Sequence, residues 1–234
     1  MKTLRFIGMA LVAVILSVSF IACSDDEDDA NTSPTTGKRL VRLTCNEDIA
    51  YFNYGSNGWL NQVTFTDDDP LNVSYENQTA ILTWGGEYPE LEGEYVYDNL
   101  LRSTKYKNDS KSCTYDAEGH LVKLGNRELV WENGNVVSYK RNEYGGTETF
   151  TYYTDKENKH YSFISDPVFF IDGSYFFAAH PQLLGKMSKN LVKTCDMGEY
   201  LYTYTYETDQ DGYITKVTKT SSDGEVTTYT MTWK

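Results

Sequence analysis

The chain has 234 residues, and the part beyond its N-terminal apolar run is one domain by length, long enough to bury a sizeable core. Its 34 acidic side chains outnumber 21 basic ones, for a formal charge of −13. That balance makes the chain a poor binder of nucleic acid and of anionic lipid head groups, because both are bound through clustered Lys and Arg, and no nucleic-acid partner is expected. Twenty tyrosines, frequent threonine and only five prolines favour strands.

Met1–Arg5 is a short basic region, and Phe6–Ile21 is an apolar run too short for a comfortable membrane span. The layout is that of a secretory signal over 1–22. Ala22 directly before Cys23 resembles a bacterial lipobox, with Phe20 standing where Leu is usual. The resemblance implies cleavage before Cys23 and diacylation of its thiol, and several acyl chains anchor a protein stably. Removing Lys2 and Arg5 with the signal takes the charge from −13 to −15. Asp25, Asp26, Glu27, Asp28 and Asp29 follow at once. This run resembles the export signal of Bacteroides-type surface lipoproteins; the plainer reading is a solvated spacer. Either way 23–38 is an acidic flexible tether, since like charges repel and nothing apolar is there to bury. The expected address is the outer membrane, lipid-anchored through Cys23 and surface-exposed. The ordered domain spans 39–234.

Cys45, Cys113 and Cys195 allow one disulfide at most. They form no CxxC and sit near no histidine cluster, so no metal site is expected, and buried, unpaired thiols are the favoured reading.

Within the domain, Val41, Leu43 and Cys45 alternate with polar residues as a first strand. Tyr51–Tyr54, the turn Gly55–Gly58 and Trp59–Phe65 form a hairpin, and Asp67–Pro70 a loop. Val73–Tyr75 and Ala80–Trp84 pair around Glu76–Gln78; Gly85, Gly86 and Pro89 mark a wider break. Tyr95–Tyr97 and Ser103–Tyr106 flank Asp98–Leu101. The centre, Cys113–Lys140, holds two copies of an aromatic-led strand, a turn with glycine and an apolar strand: Tyr115–Leu121 and Trp131–Val136. Asn133-Gly134 is a type I′ hairpin signal, and Asp223-Gly224 a second candidate.

From 155 to 195 the period of two is lost. Pro167–Ile171 and Tyr175–Ala179 are dense apolar clusters, followed by Pro181–Leu184. This predicts one or two short helical turns whose side chains, among them Phe170 and Phe177, pack on the sheet. Regular strands resume with Tyr200, Tyr202, Tyr204 and Tyr206 at alternate positions on one face. That stripe is either a core face or a ligand platform for a sugar or peptide.

Tyr115-Asp116…Gly119…Leu121 and Tyr206…Asp211-Gly212…Ile214 resemble the tyrosine-aspartate repeats of large bacterial wrapping-shell proteins. His180–Val192, the aspartate-glycine hairpins and the lipobox resemble an uncharacterised family of Bacteroides-type lipoproteins described as porin-like. That resemblance implies an all-β meander and carries no activity. Thr, Lys and Glu alternate with the tyrosines, as at Lys216, Lys219 and Thr227, which is not the apolar band of a lipid-facing wall. The expected fold is therefore all-β: a curved antiparallel meander of hairpins, open or partly closed into a barrel-like sheet. One short helical or loop segment, about 165–190, packs on its concave side.

His120, His160 and His180 are scattered, with no HExxH and no GxSxG. Glu207–Gly212 begins like a calcium loop, but Thr218 stands where its bidentate Glu belongs; Asp67–Asp69 is the other weak calcium candidate. No catalytic residue and no cofactor is expected. The reading is a non-catalytic module that binds a glycan or a protein partner, with an envelope assembly component as the alternative and a hydrolase behind both.

Overall fold

The structure, a computed structural model, describes residues 37–84, 93–98, 100, 102–106, 111–141, 146–160, 162–169 and 175–234. The signal, the tether, the Gly85–Pro89 break, Phe170 and Ile171 lie outside these residues. Sixteen strands form one antiparallel meander. In chain order they are β1 (Leu40–Cys45), β2 (Asp48–Tyr54), β3 (Leu60–Phe65), β4 (Leu71–Glu76), β5 (Thr79–Trp84), β6 (Gly93–Tyr97), β7 (Ser103–Tyr106) and β8 (Lys111–Tyr115). There follow β9 (Leu121–Leu124), β10 (Arg127–Glu132), β11 (Asn135–Arg141), β12 (Gly146–Glu157), β13 (Asn190–Asp196), β14 (Leu201–Thr208), β15 (Ile214–Ser221) and β16 (Val226–Trp233). Helix α1 (Tyr175–Ala179) and a 3-10 turn (Pro181–Leu184) lie between β12 and β13.

The sheet closes fully, because β1 pairs with β16, with Leu43 opposite Met231 and Cys45 opposite Tyr229. Closure removes both sheet edges. The backbones of Arg39 and Lys234 bond each other in both directions, so the two chain ends clasp at one rim. A meander alternates direction, so the turns after every even-numbered strand share that rim with the chain ends. It is called the terminal rim below, and the other the opposite rim.

Asn133 and Gly134 both take positive φ, 53° and 78°, which gives the expected two-residue turn. Asp223-Gly224 differs: only Gly224 has positive φ, and the turn is wider, with Ser221 N–H bonding the Glu225 carbonyl. The Asp223 carboxylate, which accepts from the Ser221 hydroxyl and the Glu225 N–H, holds that wider form. The irregular stretch is shorter than 155–195, since β12 runs to Glu157 and β13 starts at Asn190. Register shifts beside Tyr152 bury both Leu191 and Val192, which hides the alternation.

Outward positions are polar. Thr151, Thr194, Thr203 and Thr220 stand side by side across four strands. Thr205 and Thr230 are exposed, and the exposed large apolar residues Tyr51, Val130, Leu201 and Val226 are scattered on different strands. A membrane barrel presents an apolar band outward; these exposed apolar residues do not form one. Lys219 and Thr227 contribute nothing to the outer wall. They are in register with buried Tyr204, hence on the inner face, and the Lys219 ammonium lies 3.8 Å from the centroid of the Tyr202 ring.

A ring of sixteen strands encloses more space than its own side chains fill. The β12–β13 connection supplies the rest. Phe163, Ile164, Val168, Phe169, Tyr175, Phe176, Phe177, Ala178, Ala179, Leu183, Leu184 and Met187 are all buried in the core. Helix α1 packs Tyr175 against Phe52 and Phe65, and Phe176 against Tyr95. Burying one such side chain fully contributes about 1.5–3 kcal/mol.

Candidate functional site

Seven of the eight consecutive hairpins carry the same device near the terminal rim. An aromatic side chain late in the even-numbered strand donates to a backbone carbonyl at or near the start of the strand before it. Tyr54 reaches Leu40, Tyr75 reaches Leu60, Tyr115 reaches Ser103, and the Trp131 indole reaches Leu121. Tyr152 reaches Val136, Tyr206 reaches Val192, and the Trp233 indole reaches Ile214. These clamps explain the aromatic-led units of the sequence: the aromatic fills the lumen while its polar end satisfies a buried carbonyl.

The tyrosine stripe divides accordingly. Tyr204 is 1% exposed, and the Tyr206 hydroxyl bonds both Val192 and the Ser165 hydroxyl. Both belong to the core. Tyr202 is half-buried and stacks with exposed Tyr200, centroids 6.2 Å apart, at the opposite rim. Cys23, Asp25, Asp26, Glu27, Asp28 and Asp29 lie outside the described residues. Cys45, Cys113 and Cys195 form no disulfide; Cys195 is buried as expected, whereas Cys45 and Cys113 are only half-buried. The Asp209 and Asp211 carboxylates of the calcium-like loop both pair with the Lys38 ammonium instead, pinning the chain's entry to the β14–β15 turn.

Two polar centres tie the lumen segment to the wall. Asp166 is fully buried; its carboxylate accepts from Val168 and Ser188 N–H, the Ser188 hydroxyl and the Asn158 amide. Burial pushes its pKa up to about 7, against those four bonds, which pull it down. His180, also fully buried, accepts the Leu60 N–H at Nε2, 3.0 Å away. Burial, with a lesser push from Arg39, drives its pKa down to about 3, so the ring is neutral with its proton on Nδ1. Its ring centroid lies 4.7 Å from that of Trp59, and Trp59 stacks on Tyr97 at 5.6 Å and 22°.

Tyr97 is the eighth hairpin's aromatic and the exception. It occupies the clamp position of β6, yet its hydroxyl makes no hydrogen bond among the described residues. Sequence reading passed over Trp59 and Tyr97, which look like ordinary core, and set His180 aside as one of three scattered histidines. The available signal was the repeat itself: aligning hairpins on their late aromatics would have marked Tyr97 as equivalent to Tyr115.

No family model matches this chain, and no curated protein does. Two of the solved structures that share its fold are porin-like proteins. A porin-like protein from Bacteroides uniformis ATCC 8492 aligns with TM-score 0.53 at 17% identity, over 87% of this chain and 98% of its own. A porin-like protein from Bacteroides vulgatus ATCC 8482 aligns with TM-score 0.52 at 11% identity, over 83% and 98%. The all-β fold is thus the porin-like barrel of those proteins, with a filled lumen.

Proposed function

We propose that this chain is a lipid-anchored, non-catalytic binding module of a bacterial cell envelope. The observation that carries the reading is the combination of a polar outer wall with a lumen filled by the β12–β13 connection. A wall of that kind suits water rather than hydrocarbon, and a packed lumen suits a rigid recognition body rather than a conduit. Attachment then rests on Cys23. The tether before Lys38 can reach up to roughly 50 Å when extended, enough to hold the barrel clear of a bilayer. The partner class is a glycan or a protein surface. Cys23→Ala should abolish membrane partitioning of the mature protein. Retention in membranes after alkaline washing would contradict lipid anchoring, and ion conductance by the purified protein in a planar bilayer would contradict the filled-lumen reading.

A further inference from the structure

The broken clamp at Tyr97 coincides with a concentration of buried polar atoms that the chain does not satisfy. Among the described residues, His180 Nδ1, the Ser103 hydroxyl and both amide atoms of Gln182 are buried without a hydrogen-bond partner. They are neighbours in the fold. His180 packs on Trp59, Trp59 stacks on Tyr97, and Tyr97 is the register partner of Ser103. Ser103 is joined through the Tyr115 hydroxyl to Leu183, which follows Gln182 in the 3-10 turn; His180 immediately precedes that turn. The contacts form a closed ring around Pro181–Leu184, and half-buried Tyr97 and Gln182 give it its outer edge.

Native proteins pair nearly all buried polar groups, and departures from a chain's own rules concentrate at functional positions. The Tyr115 and Tyr75 hydroxyls, flanking this ring, are both spent on backbone carbonyls. The Tyr97 hydroxyl is not, although the matching residue, Thr79, is in register with its neighbour Val96. The groups left over are of one kind. His180 Nδ1 is a donor, because Nε2 accepts from Leu60. The Gln182 amide donates and accepts, and the Ser103 and Tyr97 hydroxyls do both. None of the four carries charge. Beside them lies the Trp59–Tyr97 stack, in which buried Trp59 also meets Tyr75 and His180 and half-buried Tyr97 forms the outer side.

We infer that this ring is a binding site for a neutral, polyhydroxylated ligand, the terminal unit of a saccharide, entered past Tyr97 and Gln182 at the terminal rim. The inference rests on the binding-module reading and names its ligand class and its place. Sugar hydroxyls both donate and accept, matching amide and hydroxyl partners, while the C–H face of the ring packs on an aromatic. The cations nearby are already engaged, Arg102 with Asp98 and over the Tyr115 ring, and Arg39 over the Tyr54 ring, so an anionic sugar gains little here.

The test is calorimetric titration of the full-length mature protein with glucose, galactose, mannose and maltose, with glucuronate as the charged arm. A neutral sugar should bind. Tyr97→Phe and Gln182→Leu should each weaken it about three- to tenfold, the value of one lost hydrogen bond. Tyr97→Phe should leave the melting temperature unchanged, because that hydroxyl makes no hydrogen bond among the described residues, and Tyr200→Ala should leave affinity unchanged. Binding that survives both ring variants but falls with Tyr200→Ala would move the site to the opposite rim, overturning the inference and keeping the module reading. Tighter binding of glucuronate would overturn the ligand class. No binding by any sugar in the panel would leave the ring holding buried solvent only, and protein-partner capture would then test the module reading separately.

Discussion

His180 Nε2 accepts the backbone N–H of Leu60 at 3.0 Å, across 120 residues of chain. The bond joins the filling of the barrel to its wall at the first residue of β3. It also requires a neutral imidazole. The folded pKa is about 3 against an ordinary 6.5, so between those values the unfolded chain binds a proton that the folded chain refuses. Stability from this site is therefore full above about pH 6.5 and is lost as pH falls toward 3. His180→Phe should flatten that acid limb while lowering stability at neutral pH, because Leu60 N–H loses its acceptor; urea midpoints from pH 3.5 to 7 would show it.

Asp166 has the opposite sign. Its folded pKa of about 7 lies above the ordinary 3.8, so the folded state holds the proton between those values. The protonated form favours folding at low pH, and the advantage fades as pH rises from 3.8 to 7. Asp166→Asn, which keeps the size and removes the titration, should lose more stability than wild type on acidification from pH 7.5 to 4.5. Parallel pH profiles for the two proteins would exclude this titration.

The clamps give a paired comparison. Tyr152→Phe removes a hydroxyl bonded to the Val136 carbonyl and near Ser188 Oγ, and should cost about 0.5–1.5 kcal/mol. Tyr97→Phe removes one that bonds nothing among the described residues and should change stability by less than about 0.5 kcal/mol. Chemical denaturation distinguishes the two, and equal losses would contradict the exception at β6.

Phe177 is fully buried and meets the ring of Tyr95 edge-on at 4.9 Å. Phe177→Ala should destabilise by about 3–5 kcal/mol. Val226→Ala, on the exposed outer face, should stay within about 0.5 kcal/mol. Both are read from denaturant midpoints.

Routing makes a separate prediction. Replacing Asp25, Asp26, Glu27, Asp28 and Asp29 by alanine should leave lipidation at Cys23 intact while the protein loses accessibility to protease added to whole cells. Unchanged accessibility would reduce the acidic run to a spacer.

Much of the fold was legible from local chemistry. Asn133-Gly134 announced its hairpin through positive φ, and the cluster from Pro167 to Leu184 announced a second layer through its inability to stay wet. Closure was not legible. It depends on Leu43 meeting Met231 and Cys45 meeting Tyr229, pairings between chain ends that no short window encodes. The inner position of Lys219 was missed for a related reason: alternation shows which residues share a face, not which face is inside, and only register with Tyr204 decides that. The candidate ring around Pro181–Leu184 was the least visible. Trp59, Tyr97, Ser103, His180 and Gln182 are brought together by the sheet's order and the return of the β12–β13 connection, and none is unusual alone.

The central claim is a water-facing barrel whose lumen is filled by its own chain. Hydrogen exchange of the Cys23→Ala protein, in buffer without detergent, tests it most directly. Amides of 175–185 which donate within the fold, such as His180, Leu183 and Gly185, should exchange as slowly as those of β14 and β15. Rapid exchange of that segment beside a protected wall, or a protein that folds only when detergent is added, would contradict it.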